Sequence, residues 1–354
     1  MLNGARFRLY NMPRPTGGQQ AFADRGHQPT GKEDNNMAES DAAVIDAHAG
    51  TSARTPTPIV SFRPIVLPAP GRGEDVQVRV SAPAVGNDLP IIVFSHGFGE
   101  SMVDYAPLVD FWAAEGFAVI QPTHLDSRTL ALTPEDSRTP RIWRFRIEDL
   151  TRVLDELDLI EASVPGPSGR LDHHRIAIAG HSWGATTASA LLGARILDGD
   201  GNVGEDMSDS RITAGVLLCL AGTGGDGLTP FAAENYSFMN PSFETMRAPA
   251  LMVAGDNDQS MLSTRGPDWW TDAYALSPGK KSLLTLFGAQ HSLGGITGYG
   301  VTETTDENPA RVALLQQLTS AYVHSIFDPQ DARWSEASDS LAERTDPLGR
   351  LESK

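Results

Sequence analysis

The sequence predicts an α/β fold with a mainly parallel central sheet covered by helices on both faces. From about residue 58 onward, short apolar runs typical of strands alternate with helical patterns, and this alternation favours a parallel sheet. The chain has 354 residues, which is long enough for one large domain. A third observation is the segment 180–184 (GHSWG), where a serine between two glycines follows an apolar run and precedes a helix-forming stretch.

The first half of this region opens with two β-rich runs joined by the turn at 70–73, which predicts an antiparallel start. Apolar residues between Ile147 and Ile160 recur at helical spacing and predict one buried face. The predicted elements are strands at 59–67, 76–82, 91–95 and 117–121, with helices at 105–115 and around 147–160.

The second half continues the alternation. Asn308 followed by Pro309 is a typical start for the last helix, because asparagine caps helices and proline suits the first turn. The predicted elements are strands at 176–180, 216–220, 250–254 and 282–287, and helices at 185–197 and from 308 onward.

The two ends of the chain differ in composition from the region between them. Residues 1–55 show neither helical nor strand period and predict a disordered extension, within which Met37 is an alternative start. Residues 56–327 form one predicted folded domain. Residues 328–354 are highly charged. The spacing of Trp334 and Leu341 is compatible with a short helix that packs on the domain, so we expect a partly ordered tail.

Composition and charge exclude several classes of function. No run of about 18 apolar residues exists, so we expect no membrane span. The formal net charge of −17 disfavours nucleic acids and anionic lipid surfaces as partners. The single cysteine, Cys219, cannot form an internal disulfide, and Arg6 and Arg8 are not followed by an apolar signal region, so we expect a cytoplasmic protein.

Three predicted strand ends carry residues suited to nucleophilic catalysis. Ser182 stands on the sharp turn at 180–184, two acids follow the strand at 250–254, and His291 follows the strand at 282–287. A serine hydroxyl is a poor nucleophile until a base takes its proton, and that base needs a group to orient it. The candidate acids are Asp256 and Asp258 after the strand at 250–254 and Asp226 after the strand at 216–220.

These motifs resemble those of serine α/β-hydrolases over residues 58–327. The chain is most similar to the esterases related to platelet-activating-factor acetylhydrolases, dienelactone hydrolases and polyester cutinases. The carrying motifs are 94–99 (FSHGFG), 180–184 (GHSWG), 255–258 (GDND) and 288–292 (GAQHS). The sequence departs from dienelactone hydrolases, whose nucleophile is cysteine, and from secreted polyester hydrolases, which carry signal peptides and usually a disulfide.

The resemblance implies a role for each residue of the motifs. Ser182 is the expected nucleophile, His291 the base and Asp258 the acid that orients it, in the chain order typical of this superfamily. The backbone N–H groups of Phe98 and Trp183 are the expected oxyanion hole. No metal or organic cofactor is needed for this chemistry, and His181 is interpreted as a structural residue of the turn.

The walls of the substrate pocket are less defined. The side chains of Phe98 and Trp183 predict an apolar or aromatic pocket, and His124 lies either in that pocket or in solvent. The segments 122–144 and 222–248, the second carrying Phe231, either overhang Ser182 as a partial lid or only cover the sheet. Trp269 is a pocket wall or, preferably, a packing residue.

Two possible cation sites in the sequence lack the usual ligands. The segment 198–202 resembles the start of a calcium loop, but Val203 and Asp209 replace the required glycine and glutamate. His173 and His174 have no carboxylate or cysteine at a useful spacing in the sequence. We therefore expect no metal site.

The function expected from the sequence is hydrolysis of neutral hydrophobic or aromatic carboxylic esters, small molecules that acylate Ser182. Thioesterase and amidase activities use the same groups, and a catalytically silent protein used for ligand binding or as a scaffold is the alternative from another class. The acyl chain, the alcohol and the oligomeric state stay open.

Overall fold

The computed structural model describes residues 57–164, 169–298 and 304–354. The predicted N-terminal extension, residues 1–55 with Met37, lies outside the described residues. Thr57–Lys354 is one compact unit by its internal contacts. The helices of the described segments are all too short or too polar to cross a lipid bilayer.

The fold is built on a large twisted sheet. Its strands and those of a small separate pair are β1 (Ile59–Leu67), β2 (Val76–Pro83), β3 (Leu89–Ser95), β4 (Ala118–Pro122), β5 (Leu171–His181), β6 (Arg195–Ile196), β7 (Ile212–Leu218), β8 (Pro241–Ser242), β9 (Ala250–Gly255), β10 (Lys281–Leu286) and β11 (Gly349–Ser353). Within the described residues, nine strands join in the order β1-β2-β4-β3-β5-β7-β9-β10-β11, and β6 pairs with β8. Six neighbouring strands of this sheet run parallel, namely β4, β3, β5, β7, β9 and β10. Strands β1, β2 and β11 make antiparallel pairs. The predicted fold class is confirmed.

The helices connect these strands and cover both faces. They are α1 (Ala106–Ala114), α2 (Ile142–Asp155), α3 (Leu157–Ser163), α4 (Trp183–Leu191), α5 (Pro230–Asn235), α6 (Asp272–Leu276), α7 (Pro309–Phe327) and α8 (Arg333–Ala342). Helix α4 packs on α2, β5 and β7, whereas α7 packs on α1 and α8. Every residue of β3 and β9 is buried, as expected for parallel strands with helices on both sides.

Two helices end earlier than the sequence pattern predicted. Helix α4 ends at Leu191 rather than 197, because Gly193 adopts a φ of +102° and the chain turns into β6. A Cβ at Gly193 would lie 2.7 Å from the carbonyl oxygen of Thr245, so only glycine fits. The apolar face at 147–160 is shared by α2 and α3, which are separated at Glu156.

The last residues of the chain contribute to the sheet. Helix α8 includes Trp334 and Leu341, as the sequence suggested, and Trp334 packs against Tyr322 of α7 with ring centroids 5.1 Å apart. Strand β11 then pairs antiparallel with β10, from Leu286↔Gly349 to Ser282↔Ser353. The sequence did not predict this strand, because its charged and polar residues suit an exposed sheet edge and carry little apolar signal.

Candidate active site

Ser182 occupies a sharp turn between β5 and α4. Its backbone has φ 56° and ψ −121°, a conformation that L-residues rarely adopt, and its N–H donates to the carbonyl of Leu218 at 2.9 Å. Glycines flank the turn because other residues would clash. A Cβ at Gly180 would lie 2.3 Å from the Gly184 oxygen, and one at Gly184 would lie 1.9 Å from the oxygen of Ser95. The turn therefore presents the serine hydroxyl away from the sheet.

His291 hydrogen-bonds both the serine and an acid. Its Nε2 lies 2.9 Å from Ser182 Oγ, and its Nδ1 lies 2.8 Å from Asp258 Oδ2. A carboxylate only accepts, so Nδ1 donates to Asp258 and Nε2 is free to accept from the serine hydroxyl. The Asp258 side chain is 2% exposed, while that of His291 is 43% exposed. In this hydrogen-bonded row of three side chains, the acid at one end is buried and the serine at the other end is partly exposed.

The loop that carries Asp258 is braced by Trp270. The Trp270 indole donates to the Asp258 carbonyl at 3.0 Å, and its ring lies against His291 with centroids 5.1 Å apart. No sequence pattern predicts this support, since it depends on the fold bringing residues 258, 270 and 291 together. Trp269 is fully buried and donates to the Thr223 carbonyl at 2.9 Å, so it packs beneath the loop.

The two alternative acids have other partners. Asp256 is exposed, and its Oδ1 accepts from the N–H of Gly288 at 2.6 Å, which braces the turn that leads to His291. Asp226 is exposed in the short turn of 3-10 helix at Gly225–Gly227. In the structure the carboxylate hydrogen-bonded to the His291 ring is that of Asp258.

The loop after β3, residues 96–101 (the β3 loop), lies beside the serine turn and carries Phe98. The rings of Phe98 and Trp183 are in contact, with centroids 4.7 Å apart. Trp183 is the first residue of α4, where N–H groups have no acceptor inside the helix. Phe98 and Trp183 therefore lie together beside Ser182, and the oxyanion hole formed by their backbone N–H groups stays a prediction.

A buried polar network fixes the β3 loop from below. Arg146, 1% exposed, donates to the His96 carbonyl, to both oxygens of Asp126 at 2.7 Å and to Thr187 of α4 at 3.0 Å. His96 Nε2 accepts from the backbone N–H of His124 at 3.0 Å. Burial, with the nearby Arg146 charge, lowers the pKa of His96 to about 4, so its ring is neutral at physiological pH.

His124 belongs to this buried network and has no exposed surface beside Ser182. Its Nε2 lies 2.9 Å from Ser95 Oγ and its Nδ1 lies 2.9 Å from Asp149 Oδ2, a second serine–histidine–aspartate row. His124 and Ser95 are 0% exposed, and Asp149 is also held by Arg72 at 2.7 Å. Substrate cannot reach this row, so its function is structural.

Aromatic side chains surround Trp183. Its ring meets Tyr236 and Phe238 edge-on at centroid distances of 5.4 and 5.2 Å, and Phe238 stacks on Trp143 at 6.2 Å. Phe231 packs on Tyr236 at 5.8 Å and is 45% exposed. The connection 222–248 therefore reaches the serine turn. The connection 122–144 reaches it too, because Trp183 packs on a buried cluster that includes Leu125 and Leu132.

Two groups of side chains in the described segments lie close enough to share a cation. The first comprises His181, Cys219 and His291, but both ring nitrogens of each histidine are already hydrogen-bonded. Burial raises the pKa of Cys219, so its thiol stays protonated. The second group comprises Asp158, Glu161 and His173 on α3 and β5, which the sequence spacing did not reveal.

Comparison with known families supports the fold and the chemistry in outline. A sequence model of the chlorophyllase family matches residues 71–196, little more than a third of the chain. The match covers the β3 loop and the turn at Ser182 and ends before Asp258 and His291. No curated protein matches the chain. The parallel sheet and the serine turn after β5 show an α/β-hydrolase fold, and the partial match to the chlorophyllase family is consistent with a hydrolase.

Proposed function

We propose that the protein is a serine carboxylesterase that works through an acyl-serine intermediate. The observation that carries the proposal is the hydrogen-bonded row Ser182–His291–Asp258, with heavy-atom distances of 2.9 and 2.8 Å. Its serine lies at the open end of the row, and the chain order matches that of the superfamily.

The proposed reaction has two halves. Ser182 Oγ attacks the ester carbonyl carbon while His291 Nε2 takes the hydroxyl proton, and the resulting oxyanion accepts from the N–H groups of Phe98 and Trp183. The bond to the alcohol oxygen breaks as His291 returns the proton to that oxygen. Water then attacks the acyl-serine, His291 takes a proton from the water and delivers it to Ser182, and the acid leaves.

The surroundings of Ser182 favour neutral, apolar substrates. Aromatic rings of Phe98, Trp183, Tyr236 and Phe238 form one contact series beside the nucleophile, and the net charge of −17 opposes anionic substrates. The name of the matched family makes chlorophyll one hydrophobic ester to test. We also infer a cytoplasmic location, because the single cysteine of the chain is a buried free thiol.

The proposal is tested with a fluorophosphonate probe and a series of p-nitrophenyl esters from acetate to palmitate. We expect labelling of Ser182, turnover that rises with acyl length beyond acetate, and a loss of about 10⁴-fold or more in Ser182→Ala. Thioester and anilide analogues, assayed in parallel, should turn over more slowly than the esters.

A matched control is Ser208→Ala, which removes an exposed hydroxyl that hydrogen-bonds Asp206 in its own loop. This variant should be labelled and active like the parent protein. A parent protein that neither turns over any ester nor reacts with the probe would support the silent scaffold and refute the proposal.

A further inference from the structure

Three hydrogen bonds connect the β3 loop to the loop that carries His291, residues 287–298 (the histidine loop). The Gly97 N–H donates to the Tyr105 hydroxyl at 3.0 Å, and that hydroxyl lies 2.8 Å from His181 Nδ1. His181 Nε2 in turn lies 2.8 Å from the carbonyl oxygen of His291. Tyr105 and His181 are 0% and 3% exposed, so water cannot replace these bonds.

The direction of the protons in this bridge follows from the groups involved. A carbonyl oxygen only accepts, so His181 Nε2 carries a proton and donates to His291. Burial, with the neighbouring His291, lowers the pKa of His181 to about 3, which leaves the ring neutral and Nδ1 as an acceptor. The Tyr105 hydroxyl therefore donates to His181 while it accepts from Gly97.

Tyr105 is held in place by more than its hydroxyl. Its backbone N–H donates to the Thr297 carbonyl in the histidine loop at 3.0 Å. Its φ is +66°, which is strained for a bulky residue and persists only where the surroundings impose it. Gly97 allows the close approach, since a Cβ there would lie 2.9 Å from the Tyr105 hydroxyl oxygen.

The sheet alone does not fix the distance between these two loops. Strand β3 lies next to β5, whereas β10 is separated from β5 by β7 and β9. Small changes in twist would therefore move His291 relative to Phe98. The bridge through Tyr105 and His181 connects the two loops directly, and His181 is the residue immediately before Ser182.

We propose that Tyr105 is a positioning residue for acyl transfer, acting through His181 to hold His291 and the Phe98 N–H at a fixed separation. This inference rests on the proposed esterase function. The bridge would stabilise the transition state, because the base and the oxyanion donors must be aligned there at the same time.

The test is Tyr105→Phe, assayed for kcat and KM per Ser182 site titrated with the fluorophosphonate. Counting only labelled sites removes any loss due to unfolded protein. We expect kcat and kcat/KM to fall together by about 10- to 100-fold, with KM nearly unchanged. The control is Tyr322→Phe, which removes a second buried tyrosine hydroxyl in α7, away from both loops, and should turn over like the parent protein.

A second variant separates positioning from general packing. His181→Asn keeps an acceptor for Tyr105 near the position of Nδ1, but its side chain is too short to donate to the His291 carbonyl, so it should also lower kcat. The double variant should be no slower than the slower single variant, because both changes break one bridge.

Full turnover per labelled site in Tyr105→Phe, or additive losses in the double variant, would overturn the bridge while leaving the esterase proposal intact. Should Tyr105→Phe yield no folded protein, His181→Asn decides by the same kcat criterion. A parent protein without turnover or labelling refutes the esterase itself, which is a different result.

Discussion

Asp256 and Asp258 stand two residues apart, yet their carboxylates have different partners. Asp258 is buried and accepts from the ring of His291, whereas Asp256 is exposed and accepts from the backbone N–H of Gly288. Only Asp258 can hold the His291 tautomer and stabilise the imidazolium that the proposed acyl transfer would form. The second can only hold the turn that leads to His291.

Substituting each acid by its amide tests this assignment. Asp258→Asn should lower kcat by about 10³- to 10⁴-fold, because an amide favours the wrong histidine tautomer. Asp256→Asn keeps an oxygen that can accept from Gly288, so kcat should change by less than about threefold. Both are measured on the same nitrophenyl ester at one pH, and a larger loss in Asp256→Asn would move the acid to that position.

Burial protects the Cys219 thiol from alkylation. Its thiol is buried with a raised pKa, 3.7 Å from the His291 carbonyl. Iodoacetamide attacks thiolates, so native protein should stay unmodified and active over hours, while protein in urea is alkylated quickly. Mass spectrometry measures the modification, and rapid native alkylation would contradict the burial.

The sequence was sufficient to propose the residues of the site that stand at strand ends. Ser182, Asp258 and His291 each follow a predicted strand, and the structure brings them into one hydrogen-bonded row; their catalytic roles stay predictions. Tyr105 had no such signal, because its partners lie 8 and 76 residues away. His124 was ambiguous for the same reason, since its partner Asp149 lies on a helix whose placement the sequence does not give.

At the scale of elements, the turn between β5 and α4 depends on glycine at both ends. Gly184 is the more restricted position, because a Cβ there would lie 1.9 Å from the backbone oxygen of Ser95 in β3. The close contact brings α4 against the end of β3, and so sets the spacing between Ser182 and the β3 loop. Backbone atoms cannot move aside as a flexible side chain can.

Gly184→Ala should therefore cost about 3 kcal/mol or more of unfolding free energy and abolish most turnover. Gly199→Ala is the matched control, because it lies in an exposed loop where a Cβ would meet nothing within 4 Å. Urea unfolding and ester turnover measure the two effects. Equal stability of both variants would show that the packing of α4 on β3 tolerates extra volume.

Elements were predictable where apolar periodicity was strong and less so at their ends. The strands β3 and β9 are continuous apolar runs and were predicted within two residues. The end of α4 was missed because Gly193 acts through a contact with Thr245, far away in sequence. Strand β11 was missed because an edge strand at the surface needs few apolar residues.

At the scale of the whole molecule, buried ionisable groups make stability depend on pH in opposite directions. Burial raises the pKa of Glu100 from about 4.5 to about 7; nearby Asp104 adds to the rise, while Tyr105, the Gly97 N–H and Arg128 oppose it. Burial lowers the pKa of His96 to about 4 and of His181 to about 3, from an ordinary value of 6.5. All three groups are therefore favoured in their neutral forms by the fold.

The sign of each contribution follows from the proton balance between the folded and unfolded states. The stability contributed by Glu100 is complete below pH 4.5 and is lost as the pH rises to 7, because the unfolded chain releases that proton first. The stability contributed by the two histidines is complete above pH 6.5 and is lost as the pH falls toward 4 and 3. Between pH 4.5 and 6.5 the carboxyl and the histidines therefore oppose one another.

Glu100→Gln removes one side of this balance. A glutamine keeps an acceptor for the Gly97 N–H but does not ionise, so the variant should gain about 3 kcal/mol relative to the parent between pH 4.5 and 8. Its unfolding free energy should then rise with pH up to 6.5 more steeply than that of the parent, because the histidine contribution is no longer offset. Urea unfolding across this range measures the difference between the two proteins, in which contributions from all other titrating groups cancel. A difference that stays constant with pH would show that Glu100 ionises in the folded protein at its ordinary pKa, and that water or a charge reaches it beneath the β3 loop.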